Sequence, residues 1–571
     1  MTLNSIYNIM NRFLPLFITL FILSCGPVDR ADIIITGGHI WTGSDSNPTV
    51  EAIAIKGDRI LATGTNREIN KHKGNQTRII YVNGGMVAPG FIDNHTHFNR
   101  AGELLMGINL LDVADTENLR KRVSETSERL PVGMWMFGGM WGAYEQWAMG
   151  DTGSGDGEAE PWKPNKTDID DLTPDVPVLL HRWDRQMYLA NTVTLNLAGV
   201  TCSWSGAECE NGELTGRLMP AAANRIIRMM PRPTLEHRLA EARLALQDLA
   251  QNGVTTIHDI TGDEQMGVYQ ELKNRGELTT RIYARPTLDK WEHFAALGIK
   301  HGFGDDWIRT GALKGFVDGI MGNSTARFYE PYLTSGELGS WRPMMYPAGN
   351  MRDLIIGADA AGLWPQIHAI GDHAVDSLLT LYEHVIEVNG PSDRRFRMIH
   401  TQVLRDESVA HRLADLDIIA EMQPYHAIDD MRWMEQRIGE RSRWAYAFKT
   451  LHDAGVMLSF GSDWPGTNAS WYPSSAIEGI YAAVTRQTLD GQPEDGWFPE
   501  ERIDVETALR AYTVNNAWAE GLEHTKGKLE PGMLADIVIL SDNLFSINPQ
   551  EIKDVIVNFT ITGGKIIYER E

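Results

Sequence analysis

The centre of the chain alternates short apolar runs with helix-length segments, and this alternation constrains the fold more than any other feature. Eight runs read as strands, near 91–94, 254–258, 281–285, 311–316, 366–368, 396–399, 418–423 and 457–462. Helical patterns lie between them. Residues 234–252 are amphipathic, start after Pro233 and stop at Gly253, as helix punctuation requires. Asp406 is placed to cap a helix to about Asp415, and Asp504 another to about Glu520. Strands alternating with helices predict parallel βα units. Eight of them predict an α/β fold of the (β/α)8 TIM-barrel type.

The gap between the first two strands is too long for a loop. Residues 105–230 therefore read as an inserted subdomain within a barrel spanning 87–524. Its own strand is Val178–Arg182, just after Pro177, and it holds Trp135, Trp141, Trp147, Trp162, Trp183 and Trp204. These rings have two open readings, pocket lining or the core of a small insert. Residues 31–86 and 525–571 are both strand-rich, with Gly563-Gly564 turning the last hairpin. They predict one β-sandwich assembled from both termini.

The net charge of the 571 residues is −24, with no long basic run. Phosphate binding needs clustered Lys and Arg, so no nucleic-acid partner is expected. Residues 1–25 read as a targeting segment. Arg12 precedes the apolar run 13–23, which is short for a membrane span and suits a signal peptide. Ile22-Leu-Ser-Cys25 resembles a bacterial lipobox, with Cys25 as the lipidated residue. The expectation is export to the periplasm with a lipid anchor as the only membrane contact; the alternatives are a plain cleaved signal and an uncleaved anchor. In an exported chain Cys202 and Cys209 are expected to form a local disulfide, the alternative being two unrelated thiols.

Barrel chemistry sits at the carboxyl ends of the strands. The first strand ends in His95-x-His97, and residues i and i+2 of a strand share a face. His258 and Asp259 end the second strand, and Lys314 lies in the fourth. His368, His400, Gln423 and Asp463 end the fifth to eighth, with His426 three residues beyond Gln423. Imidazole and carboxylate ligands suit zinc and similar ions. A bound divalent ion lowers the pKa of its water and polarises a carbonyl. An ammonium repels metal, so Lys314 fits this set only if its amine has reacted with carbon dioxide to give an anionic carbamate. The bland alternative pairs Lys314 with Asp318. For His39, His237, His293 and His524 the reading is an ordinary polar side chain.

This constellation resembles the amidohydrolase superfamily, and within it the family 3 branch that includes N-substituted formamide deformylases. The resemblance rests on Ala88-Pro-Gly-Phe-Ile-Asp-Asn-His-Thr-His97, Trp135-Met-Phe-Gly-Gly-Met-Trp141, the run 314–326, Ile367-His-Ala-Ile-Gly-Asp372, Gln423-Pro-Tyr-His426, Gly461-Ser-Asp-Trp-Pro465 and the run 527–536. It implies a metal-dependent barrel with a composite β domain and hydrolysis of a non-peptide carbon–nitrogen bond in a small amide-type substrate by metal-hydroxide attack. By position it implies that His95, His97 and Asp463 hold one zinc ion. His368 and His400 would hold a second, with carbamylated Lys314 bridging the two. Asp463 would shuttle the proton, with His258 or His426 touching substrate or supporting the ligands. Gln186, Gln423 and Trp141 would face the substrate. Relatives often read Asp-Gly-His before an Ala-Asn-Ser run, where this chain has Asp184-Arg-Gln186 before Leu-Ala-Asn191. Two rival readings remain: the same site acting on an ester, lactone or cyclic imide, and a surface-anchored binding protein with a decayed site. A homodimer is compatible with all three.

Overall fold

The computed structural model describes residues 29–130, 133–142, 162–345, 349–466 and 471–571. The expected targeting segment with Cys25, and Trp147, lie outside the described residues. Among the described residues no helix is long and apolar enough to cross a membrane.

Eight parallel strands carry the site: β1 (Phe91–Thr96), β2 (Val254–Ile260), β3 (Arg281–Arg285), β4 (Ala312–Phe316), β5 (Trp364–Ala369), β6 (Arg397–His400), β7 (Ile419–Met422) and β8 (Leu458–Phe460). They form two arcs. One runs β1-β2-β3, and the other runs β4-β5-β6-β7-β8. Parallel bridges join the arcs at both seams, Thr287 with Lys314 and Thr96 with Trp464. This is the strand order of a (β/α)8 barrel.

The two-residue strand period explains both faces. Ile257, Ile282, Leu313, Ile367, Met398, Ala420 and Phe460 belong to the main apolar core, packed among the helices. Their alternate neighbours His258, Arg285, Lys314, Gln366, Arg397, Glu421 and Ser459 are buried and polar. Barrel interiors are usually filled by branched apolar side chains. This one is lined with charge.

The helices follow their caps. Thr234 accepts the His237 amide at the start of Leu235–Gln251, and Asp406 accepts the Ser408 amide before Glu407–Asp415. Asp504 starts Val505–Tyr512, but that helix stops eight residues short of the expected Glu520. Thr513 leaves helical geometry (φ −135°, ψ −83°), and a second helix covers Val514–Ala519. The break seats the Asn516 amide on the carbonyls of Ile92 and Phe460, at the seam between β1 and β8.

The chain termini do meet in one β domain, but its layers are not separate sheets. One eight-stranded sheet contains the strands from Ile33–Trp41 to Met86–Pro89 and from Ile537–Leu540 to Lys565–Glu569. Met86–Pro89 stitches the two ends, pairing with Ile33–Trp41 on one side and Ile537–Leu540 on the other. The sheet curls until its Arg59–Gly64 edge meets the segment that leads into Ile537–Leu540. Ile60 N–H donates to Met533 O, Gly532 N–H to Ile60 O and Ala535 N–H to Asp58 O. The enclosed core is mostly isoleucine, including Ile35, Ile53, Ile55, Ile537 and Ile561. The expected sandwich is thus a single curled sheet, because the strand pairing runs through it without a break.

The insertion carries its own six-stranded sheet between Ile108 and Leu218. Val178–Arg182 lies inside it, paired with Met136–Trp141 and Tyr188–Ala190. Cys202 and Cys209 are joined by a disulfide beside its outer hairpin. Trp141 is 1% exposed and packs with Ile108, Leu110, Val178 and Leu180. It is a core residue of the insertion and does not line the site, correcting its expected substrate role.

Candidate metal centre

His95, His97, Lys314, His368, His400 and Asp463 come from five different barrel strands or the residues just beyond them, and line one cavity of about 280 Å³. Ligand atoms of His95, His400 and Asp463 lie within 4.8 Å of one another. Asp463 Oδ1 stands 3.1 Å from His97 Nε2 and 3.5 Å from His95 Nε2, yet it accepts no hydrogen bond. The His368 and His400 rings are 4.5 Å apart. These groups converge on a common space rather than on each other, the arrangement a cation needs.

Hydrogen bonds behind the rings decide which nitrogen faces that space. A backbone carbonyl only accepts, so the contact between His368 Nε2 and Gly319 O (2.8 Å) places the proton on Nε2 and frees Nδ1. His400 Nδ1 meets Gln423 Oε1 at 2.7 Å, which frees Nε2. Burial pushes the His95 and His400 imidazoles well below their ordinary range. Neutral rings are what a metal binds.

Lys314 is fully buried, and its Nζ has no hydrogen-bond partner. It lies 4.9 Å from the Phe316 ring centroid. Burial, then the nearby Arg285 guanidinium, pushes its ammonium well below the usual lysine range. It does not pair with Asp318. That carboxylate accepts the amides of Ile370, Gly371 and Arg327 and approaches His368 Nε2 at 3.3 Å.

The backbone is strained where the ligands sit. His400 (φ +74°), Thr401 (φ +43°) and Asp463 (φ +58°) occupy the left-handed region. Non-glycine residues persist there only when their surroundings over-determine them. Asp93 supplies part of that determination by accepting the amides of His95 and Ser462. Asp259 does the same beside His97, accepting the Phe98 amide at 2.7 Å and the Tyr269 hydroxyl at 2.5 Å.

Three expected contacts with substrate move. His258 is fully buried and absent from the cavity wall. Arg397 Nη1 lies 2.8 Å from its Nδ1, and arginine only donates. The His258 proton is therefore on Nε2, facing Glu520 at 3.2 Å. With both nitrogens engaged inside the barrel, none is left for chemistry. Gln423 is 1% exposed and orients His400 rather than meeting substrate. Gln186 is exposed in the turn after Val178–Arg182, where Asp184 accepts its amide and binds Arg182. Trp183, three residues earlier, lines the cavity in its place.

His426 does line the cavity. Its Nε2 is 3.7 Å from Asp463 Oδ2 and makes no hydrogen bond. Burial pushes its pKa down to about 4, against a hydrogen bond to the Ser462 backbone. Residues not anticipated from the sequence also appear on the wall: Arg100, Arg342, Phe316, Trp433, Asp430 and Tyr472.

Fold and site together define a parallel barrel whose strand ends present a histidine–carboxylate centre beside a fully buried lysine. Comparison with known proteins agrees. Residues 78–568 match the amidohydrolase family, and the chain belongs to it. It is an enzyme of the class that hydrolyses carbon–nitrogen bonds. The protein LONG AFTER FAR-RED 3 of Arabidopsis thaliana is 31% identical over 94% of this chain and 92% of its own length. The N-substituted formamide deformylase of Arthrobacter pascens is 25% identical over 94% and 98%. A solved structure of an uncharacterized metal-dependent hydrolase from Pyrococcus furiosus superposes with a TM-score of 0.69 at 26% identity, covering 90% of this chain and all of that one.

Proposed function

We propose that the enzyme cleaves a non-peptide amide of the N-acyl or N-formyl type in a small molecule, using two zinc ions bridged by carbamylated Lys314. The observation that carries this reading is the convergence of His95, His400 and Asp463 on one space, with an unpartnered, fully buried lysine amine on the same cavity wall. Likeness to the Arthrobacter deformylase supports the amide class.

The donor set fits the group. His95, His97 and Asp463 would hold one ion, and His368 and His400 the other. A neutral amine is the form that adds carbon dioxide: the N–C bond forms, one proton leaves the nitrogen, and an anionic carbamate replaces the neutral amine. The buried position of Lys314 beside Arg285 supports the amine form. When bound, such ions supply Lewis acidity and lower the pKa of water. The chain's own residues do the rest. Asp463 accepts the proton of the attacking water and gives it to the departing nitrogen. His426, neutral and 3.7 Å from Asp463, orients the reacting groups. Trp183, Phe316, Trp433 and Tyr472 form aromatic walls that exclude water around the acyl group.

The test is elemental analysis of the form lacking residues 1–25, followed by a panel of matched amides and esters. About two divalent ions per chain with amide turnover is the expected result. One ion removes the lysine bridge. No ion after reconstitution, with no turnover, favours a binding protein. Turnover of esters alone moves the reaction to a carbon–oxygen bond.

The leader supports export with a lipid anchor at Cys25. Cell fractionation of Cys25→Ala tests this, and unchanged membrane association overturns it.

A further inference from the structure

Beneath the cavity lies a charged layer that the proposed chemistry does not use. Glu421 on β7 is fully buried, and three donors converge on its carboxylate. Arg285 Nη1 reaches Oε1 at 2.8 Å, His95 Nδ1 reaches Oε1 at 3.0 Å and Arg397 Nη1 reaches Oε2 at 3.1 Å. Both arginines are themselves buried. The layer continues down the barrel axis from Arg397 to His258, to Glu520 and to Lys526.

Two groups compete for His95 Nδ1, and hydrogen bookkeeping decides between them. Arg285 Nη2 lies 3.3 Å away. Its two hydrogens are already directed to Asn94 O at 2.7 Å and His258 O at 2.9 Å. The Glu421 oxygen, at 3.0 Å, can only accept. The proton is therefore on His95 Nδ1, and Nε2 presents its lone pair toward Asp463.

We propose that Glu421, held by Arg285 and Arg397, is the positioning residue of the metal centre: it fixes the tautomer and angle of His95 and raises the basicity of its Nε2. This rests on the metal-centre reading above. The two arginines have a specific part in it. They fix both oxygens, so the carboxylate cannot turn away from His95. They also balance its charge, so an anion can stand beneath the centre in a buried layer. Removing an outer-shell partner of this kind costs roughly 10–100-fold in metal affinity.

The experiment compares zinc dissociation constants of wild type, Glu421→Gln and Glu421→Asp by competition with a chromophoric chelator, together with the visible spectrum of each cobalt(II)-loaded protein. A glutamine offers one acceptor oxygen to three donors. E421Q is expected to weaken one zinc site by roughly 10–100-fold and to shift the cobalt spectrum, while thermal melting shows a folded protein. E421D keeps the charge and is expected to recover part of the affinity. A folded E421Q with wild-type affinity and an unchanged spectrum overturns the proposal and leaves the metal centre intact. Wild type that binds neither zinc nor cobalt overturns both. If E421Q does not fold, nitrogen-15 histidine spectra of the metal-free wild type decide, assigned with His95→Gln: the Nδ1–H tautomer is expected, and an Nε2–H tautomer overturns the proposal.

Discussion

Asp93 clamps Ser462 across the seam between β1 and β8. Its Oδ1 accepts the Ser462 amide at 2.9 Å, and its Oδ2 accepts the Ser462 hydroxyl at 2.5 Å. The same Oδ1 accepts the His95 amide at 3.0 Å. One buried carboxyl thus sets the spacing between the strand end bearing His95 and the loop bearing Asp463. An alanine at this position leaves three donors without an acceptor, at a cost of about 1–3 kcal/mol for each buried group left unpaired. D93A is expected to lower the melting temperature and to weaken metal binding at the same time. Chemical denaturation and chelator competition check the two effects. A destabilised protein with unchanged metal affinity would refute the coupling.

Asp430 gives a pH dependence with a definite sign. Burial pushes its pKa up to about 7, despite hydrogen bonds from Tyr446 and Gln402 and the Arg437 charge. In the unfolded chain the group ionises near 3.8. Between those values the folded protein holds a proton that the unfolded chain releases. This contribution to stability is complete below pH 4, declines as pH rises and is gone above about 7. An asparagine in place of Asp430 would mimic the protonated side chain at every pH. D430N is therefore expected to gain on wild type with rising pH, by roughly 3 kcal/mol between pH 4 and pH 8. Urea titrations at four pH values measure this, and parallel stability curves would refute it.

The positions of the proposed ligands are legible in the sequence because strand period and barrel geometry are local rules. His95-x-His97 marks one strand end, and the other ligands follow the same pattern. The layer beneath is not legible in this way. Arg285, Arg397 and Glu421 lie 136 and 24 positions apart in their contacts, and a charge in mid-strand ordinarily signals solvent. Only the barrel turns all three inward at one height. A usable signal exists in Ala-Glu421-Met-Gln423: a residue two before an inward strand end also points inward. His258 obeys the strand-end rule but lies too deep, and its partners, Arg397 on β6 and Glu520 just after the helix Val514–Ala519, claim both nitrogens. Trp141 and Trp183 show the limit of composition. Both are tryptophans of the insertion, yet one fills its core and the other faces the cavity.

Lys314 offers a direct chemical test. If the buried amine carries a carbamate, metal loading of the metal-free enzyme is expected to accelerate and reach higher occupancy when bicarbonate is added. Lys314→Ala should lose that dependence and bind about one ion fewer. A short carboxylic acid supplied in solution can occupy the vacated volume and offer two oxygens, so it is expected to restore part of the activity. Mass spectrometry of the intact, metal-loaded protein reads the added mass directly. Bicarbonate-independent loading to two ions would refute the assignment.

Asp463 and His426 are neighbours on the cavity wall, with Oδ2 and Nε2 3.7 Å apart, and their proposed roles separate by pH and rate. In the proposed reaction Asp463 carries the proton from water to the departing nitrogen, and on that reading D463N is expected to lower kcat by roughly 10³-fold. That comparison is made at metal concentrations that saturate the variant, so a lost ligand is not mistaken for a lost proton carrier. His426 donates to the Ser462 backbone, which leaves Nε2 as an acceptor while the ring is neutral. With its pKa lowered to about 4, the ring is neutral throughout the physiological range. Protonation below that value converts Nε2 into a donor and places a cation beside the centre, so kcat/KM is expected to fall on the acid side near pH 4. His426→Asn removes the titrating ring. Its expected signature is a loss of roughly 10²-fold in kcat/KM together with disappearance of that acid limb. An H426N enzyme with the acid limb intact would assign the limb to another group and leave His426 as part of the wall.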